Sequence, residues 1–273
     1  MKKFCLLLSF VVISISCSSD SSEVTLDPNL LQRVDFYPGT SFEKRWIFNP
    51  EGLLTDITKA DGTLIEKFTY DTHNNVVQNV KYINGVPGGS DNITYDSGNF
   101  ITQINTVVYN YSFTENKYFY TIGFNDYSCS LNSEFLVTES HLVYDDTVDV
   151  YNTDSYCGYT LGNMNSYRNY SWSGDIYTHY EFDNRINPLK NALLPILRYK
   201  SLIDTEFFFD SLSSVNNITS QAYYSSDPES HTYDYIYNSL NLPQTQTRND
   251  YYLGTYENSL ISAKYYYQGD ALP

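Results

Sequence analysis

The sequence predicts an all-β fold: an antiparallel meander of repeated hairpins forming a large twisted sheet or an open repeat architecture. Three observations predict it. The chain holds 29 Tyr and 15 Phe in 273 residues, and these gather with Val, Ile and Thr in short runs separated by Asn, Asp, Gly and Ser. Several runs alternate with period two, so that Tyr118, Tyr120, Ile122 and Phe124 share one face. Tyr233, Tyr235 and Tyr237 do the same, with Thr232, Asp234 and Asn238 opposite. A short turn signature also recurs along the chain, and long helical periodicity is absent outside the first residues.

The first element is a signal peptide over 1–16. Lys2 and Lys3 precede an apolar run from Phe4 to Ile15, and Ser16 stands before Cys17. A run of about twelve residues falls short of the roughly 20 that a membrane-spanning helix needs. Ser16-Cys17 resembles the lipobox of bacterial lipoproteins, with Ser14 where that pattern prefers Leu. The resemblance implies cleavage before Cys17 and acylation of its thiol and amine, including a palmitate-like chain; several chains on one residue hold durably where one does not. Residues 17–30 then read as a lipidated flexible tether, opening with the polar run Ser18-Ser19-Asp20-Ser21-Ser22-Glu23. That run is similar to the surface-export signal of Bacteroidetes lipoproteins, and equally to a plain solvated linker. Residues 31–268 form the expected β-repeat domain and 269–273 a tail.

Within that domain an aromatic is followed at once by Asp or Asn, then by Gly or Asn about four positions after the aromatic. The copies are Phe48-Asn49 with Gly52, Tyr70-Asp71 with Asn74, Tyr95-Asp96 with Asn99, and Tyr237-Asn238 with Asn241. Phe124-Asn125, Tyr144-Asp145 and Phe182-Asp183 are weaker copies. The physical reading is a hairpin. An aromatic ends one strand facing the core, the side chain of Asn49, Asp71, Asp96, Asp183 or Asn238 accepts backbone N–H bonds of the turn, and Gly or Asn takes the positive φ that closes it. Asn84-Gly85 and Pro87-Gly88-Gly89 mark a looser turn. One short helix is expected after Asn187-Pro188, a turn or two over Leu189 to Leu194, ending before Pro195.

Tyr70-Asp71 and Tyr95-Asp96, with the residues after them, resemble YD repeats, the units of RHS-type shells. The stretches Tyr180 to Lys190, Asn216-Asn217-Ile218-Thr219 and Tyr235 to Pro243 closely resemble an uncharacterised family of Bacteroidetes surface lipoproteins built from YD-like units. The two likenesses cover about 200 residues, with only weak repeats across the middle third, roughly 111 to 165. They imply a β-sheet repeat fold and a cell-envelope location; with the lipidated Cys17, the expected place is the outer membrane, lipid-anchored, at the cell surface rather than the periplasmic face. They carry no functional residue.

Charge and chemistry narrow the function classes. Removing residues 1–16 takes Lys2 and Lys3 from the 16 basic residues and nothing from the 32 acidic ones, a net of −18. Such a surface repels nucleic acid and anionic lipid. With Cys5 in the signal and Cys17 lipidated, Cys129 and Cys157 remain. They read either as a disulfide, contributing roughly 3 to 4 kcal/mol in the chain-entropy model, or as two small buried thiols. His73, His141, His179 and His231 have no metal-ligand spacing, and each reads as a half-exposed strand residue. No nucleophile elbow or phosphate loop occurs, and no cofactor or metal site is expected. Asp145, Asp146, Asp149 and Asp154 crowd one region without the spacing of a calcium loop. Asp146-Thr147-Val148 and Asp210-Ser211-Leu212 match a short O-glycosylation pattern.

The tyrosines read first as core rungs and second as a platform for sugar rings. The resulting expectation is a surface-displayed binding scaffold that is not an enzyme, held to the membrane by the lipid on Cys17. Its expected partner is a glycan or envelope protein, engaged by exposed tyrosines within 223–267. A glycan-capturing lipoprotein of a polysaccharide-uptake system is the alternative, and a hydrolase comes third.

Overall fold

The computed structural model describes residues 26–143, 154–171, 174–203, 214–224 and 229–273. The signal peptide, Cys17, Tyr144-Asp145, three of the four crowded aspartates (Asp145, Asp146, Asp149) and both glycosylation patterns lie outside the described residues. The first strands are β1 (Leu31–Phe36), β2 (Lys44–Phe48), β3 (Leu54–Lys59), β4 (Leu64–Tyr70), β5 (Val76–Ile83) and β6 (Val86–Tyr95). They continue as β7 (Ile101–Ile104), β8 (Val107–Ser112), β9 (Lys117–Ile122), β10 (Asn125–Leu131), β11 (Val137–Val143) and β12 (Asp154–Thr160). Then come β13 (Asn163–Ser171), β14 (Gly174–Ile186), the helix α1 (Leu189–Ile203), β15 (Asn216–Tyr224), β16 (Glu229–Tyr237), β17 (Pro243–Tyr252) and β18 (Thr255–Tyr267).

Every strand pairs antiparallel with its sequence neighbours, and β1 also pairs with β18, so the 18 strands close into one up-and-down barrel. This corrects the open sheet expected from the sequence. Closure rests on ordinary core packing: Val34, fully buried, stands between Trp46 on β2 and Tyr265 on β18. It also removes the two long unpaired edges that an open meander would expose.

In an up-and-down barrel alternate turns fall on opposite rims. The turn motif therefore collects on one rim, shared with both described chain ends. Asn49 Oδ1 accepts from Leu53 N at 2.8 Å. Asp71 Oδ1 accepts from His73 N and Asn75 N at 2.8 and 2.9 Å, Asp96 Oδ1 from Gly98 N and Phe100 N at 2.8 and 2.9 Å, and Asn238 Oδ1 from Leu240 N and Leu242 N at 2.9 and 3.0 Å. Gly52, Asn74, Asn99 and Asn241 take the positive φ in these turns. A further copy, Asn132 with Phe135 at φ 62°, lacks the leading aromatic and escaped the sequence reading.

Two weak copies are corrected. Asn125 opens β10 on the other rim, after a turn closed at Gly123. Asp183 lies inside β14, where it accepts from Arg185 N, Asn217 N and the Tyr237 hydroxyl; it ties β14 to β15 across a register shift and closes no turn.

The tyrosine of each unit has its own task. Tyr70 donates its hydroxyl to Leu54 O at 2.5 Å and Tyr95 to Val76 O at 2.9 Å, each reaching the strand that starts after the preceding motif. Tyr267 reaches Pro243 O at 2.9 Å in the same way. A buried phenol needs such a partner. Burial drives the Tyr70, Tyr95 and Tyr267 hydroxyls far above their ordinary pKa, so they stay protonated donors.

Paired residues share a face, and the two faces differ. The inward face carries Val34, Ile57, Phe68, Ile93, Ile104, Tyr109, Tyr118, Tyr120 and Cys129, all buried in one core that includes the helix. The outward face carries lanes such as Thr69, Gln78, Asn92 and Ser112, Lys117, Ser130, Glu139. Another runs Thr232, Asn249, Ser259. Membrane-spanning barrels have the reverse order, an apolar outer belt around a polar lumen, and a midplane Lys or Arg there costs about 2 to 4 kcal/mol. The outer lanes here are polar, with Ile47, Val108, Ile236 and Ile261 exposed among them. Among the described residues no helix is long and apolar enough to cross a membrane.

The helix enters the lumen from the turn-motif rim. Asn187 caps it, Oδ1 accepting from Leu189 N at 3.0 Å, and Pro188 follows the cap. It then runs through Pro195, well beyond the turn or two expected. A proline inside a helix costs about 3 kcal/mol. Leu193, Ile196, Tyr199 and Leu202 are each at most 1% exposed; at about 1.5 to 3 kcal/mol per buried apolar side chain, they outweigh that penalty. Polar contacts fix the helix to the wall at two places. Lys200 Nζ lies 2.6 Å from Glu66 Oε1 on β4 and Asn79 of β5 donates to the Tyr199 hydroxyl; Lys190 Nζ lies 2.7 Å from Glu134 Oε1 in the β10–β11 turn.

Candidate functional site

A cavity of about 990 Å³ opens at the rim opposite the turn motifs and the chain ends. Three parts of the chain build it. The β1–β2 loop contributes Tyr37, Thr40 and Phe42, and the adjoining strand ends contribute Phe36, Lys44 and Trp46. The β3–β4 corner adds Lys59, Asp61 and Ile65; β17 and β18 add Arg248, Asp250, Asn258 and Leu260. Tyr37 takes φ 52° to turn the loop, and its N–H donates to Ser262 O at 2.9 Å, which fixes the loop to β18. The Phe36 and Trp46 rings pack 4.7 Å apart, and Phe42 is 76% exposed at the mouth. A smaller recess of about 160 Å³ shares Phe36, Tyr37 and Arg248 and reaches Tyr233 and Tyr265.

One wall is ionic. Arg248 Nε lies 2.7 Å and His231 Nδ1 2.8 Å from Asp250 Oδ1, and Arg248 also donates to the Tyr37 hydroxyl at 3.2 Å. Register explains the grouping, since His231 pairs with Asp250 and Tyr233 with Arg248 on the inward face. Burial, then the Arg248 charge, push the His231 imidazole below its usual pKa, against the opposing pull of Asp250. His231 is a strand residue of intermediate exposure, as expected, and its side chain faces the lumen. Among the other histidines, His73 lies exposed in the Asp71 turn, His141 pairs with Glu139 on the outer face at 3.4 Å, and His179 faces out beside Ala222.

The tyrosines of 223–267 divide between the two faces of the wall. Tyr233, Tyr235 and Tyr265 point into the lumen with their hydroxyls held protonated by burial, while Tyr224, Tyr252 and Tyr256 are the exposed ones. The turn residues Asn49, Asp71, Asp96 and Asn238 lie on the far rim and take no part in the cavity. Cys129 and Cys157 are not brought together. Cys129 pairs with Ser140 and Ser140 with Ser155, which sets Cys157 two strands away with β11 between, roughly 10 Å or more, beyond the ~7 Å Cα separation that a disulfide spans. Among the described residues no group of three or more His, Cys, Asp or Glu could hold a metal ion.

Trp46, Lys44, Lys59 and Arg248 escaped the sequence reading. Arg248 had a usable signal: threading β17 back from the Asn238 turn sets it opposite Tyr233, a charge on the tyrosine face.

No family model matches the chain, and no curated protein matches it. Solved structures similar to it include a porin-like protein from Bacteroides uniformis, 10% identical, with 89% of this chain and 98% of that one covered at a TM-score of 0.36. A porin-like protein from Bacteroides vulgatus is 12% identical over 88% of this chain and 99% of that one, at a TM-score of 0.40.

Proposed function

We propose that the protein is a binding module of the cell envelope: a water-facing barrel tethered by lipid on Cys17, which takes a ligand into the rim cavity without turning it over. The carrying observation is the cavity itself, an aromatic-lined concavity with a few convergent charges, the usual make-up of a ligand site. Its position supports the reading. The described chain begins at the turn-motif rim, so a tether there points the cavity away from the membrane, toward the medium if the lipid sits in the outer leaflet. The polar outer wall fits attachment through lipid alone. Glycans suit the Trp46, Phe36 and Tyr37 rings, which offer flat faces to sugars.

The test is native mass spectrometry of the mature protein against glycan, peptide and metabolite libraries, read for retention and for product. Retention without product, lost on Trp46→Ala, supports the proposal. Ligands that bind Trp46→Ala as well as the parent contradict it. The hydrolase reading keeps one specific support, the His231–Asp250 pair, of which Asp250 lines the cavity, an arrangement that can orient an imidazole as a base. Product that disappears in His231→Gln would establish it.

A further inference from the structure

The geometry points to an anionic ligand: a carboxylate or sulfate head on an apolar or ring-bearing body, its head held by Lys44 and Lys59. This inference rests on the cavity being a binding site and names the chemistry of what it takes.

Lys44 on β2 and Lys59 on β3 are direct cross-strand partners, and both line the cavity. Like charges directly opposite one another destabilise a sheet. Relief is only partial: the Lys59 charge acts on the Asp61 carboxylate, but among the described residues no carboxylate lies within ion-pair reach of either ammonium. The cavity's own carboxylates are engaged elsewhere. Glu43 accepts from Gly39 N at 2.7 Å and pairs with Arg45 at 2.9 Å. Asp61 accepts from Thr63 N at 2.9 Å, and Asp250 is held by Arg248 and His231. Arg248 is correspondingly spent on Asp250 and Tyr37.

The pair is therefore two adjacent uncommitted cations in a chain of net charge −16, beside the Phe36–Trp46 rings. A protein so acidic repels anions over much of its surface. An anion seated between the lysines gains two charge-assisted contacts and removes their mutual repulsion, while its body lies on the aromatic floor. Fatty acids, aromatic acids and uronic-acid oligosaccharides share this chemistry, and matched probes distinguish them.

Isothermal titration of the mature protein at low salt would compare 2-naphthoate with 2-naphthalenemethanol, decanoate with decanol, and trigalacturonate with cellotriose. At least one anion should bind about ten-fold or more tighter than its neutral partner, as expected of a charge-assisted contact. The preference should shrink in 0.5 M salt. Lys44→Met with Lys59→Met should lose it and melt no lower than the parent, because a repulsion has been removed. Neutral probes binding as tightly as their anions, or a preference that survives in the double variant, overturns the anion assignment while leaving the cavity a ligand site. Failure of all six probes to bind also overturns it, and the wider library screen then tests the cavity separately.

Discussion

Asp71 shows how one side chain specifies a turn. Burial opposes its ionisation, yet the N–H groups of Asn75 and His73 and the Asn75 amide together hold its carboxyl below the usual carboxylate range. Replacing Asp71 or Asp96 by Ala removes two backbone hydrogen bonds, and chemical denaturation should show a loss of about 1 to 2 kcal/mol. Glu257→Ala, an exposed acid outside such a turn, should cost close to nothing; equal stability of all three variants would make the turn bonds energetically irrelevant. Tyr70→Phe should cost about 1 kcal/mol through the lost bond to Leu54 O.

His231 carries a pH effect whose sign is fixed. Its folded pKa lies below the unfolded value near 6.5, so between the two the unfolded chain binds more protons, and stability falls as pH drops through about 6.5. The groups facing it are Asp250, Arg248, Glu229 and Tyr223. Melting temperature measured from pH 8 to pH 5 should fall less in His231→Gln than in the parent; parallel curves would rule this source out. Much of this scale was open to sequence reading, because Asp71 and Asp96 act on residues two and four positions away. The Lys44–Lys59 pair was not, because it depends on register between strands.

At the scale of elements the helix is the informative case. Asn187-Pro188 announces its start, since cap and first-turn proline act locally. Its end was misread because Pro195 is a local stop signal overridden by burial in a lumen that nothing local reveals. The Lys200–Glu66 pair inside that lumen, with side chains 5% and 16% exposed, should behave as a buried ion pair. Removing one partner, as in Glu66→Leu or Lys200→Met, should cost about 3 to 5 kcal/mol, and the double variant much less than the sum. Additive losses would place the pair effectively in water. The cysteines belong to this scale too, since their separation is set by strand order. Peptide mapping without reductant should find Cys129 unjoined to Cys157. Because burial raises the Cys129 thiol pKa, iodoacetamide should leave it unmodified until the protein unfolds. A 129–157 disulfide would contradict the register of β10 to β12.

For the whole molecule, strand type and hairpin order were legible because both are written every two residues and at every turn. Closure was not. Val34 and Tyr265, which meet across the seam, look like any other inward residues, and no local signal says that strand one meets strand eighteen. Yet lumen, helix burial and rim cavity all require that seam, and so does the functional proposal. A cysteine-free mature protein carrying spin labels at Gln32→Cys and Lys264→Cys, measured by double electron–electron resonance, tests it most directly. A closed barrel predicts a single distance within roughly 25 Å, two neighbouring strands plus the label arms; a distance beyond roughly 40 Å, as an unclosed sheet of 18 strands demands, would contradict it.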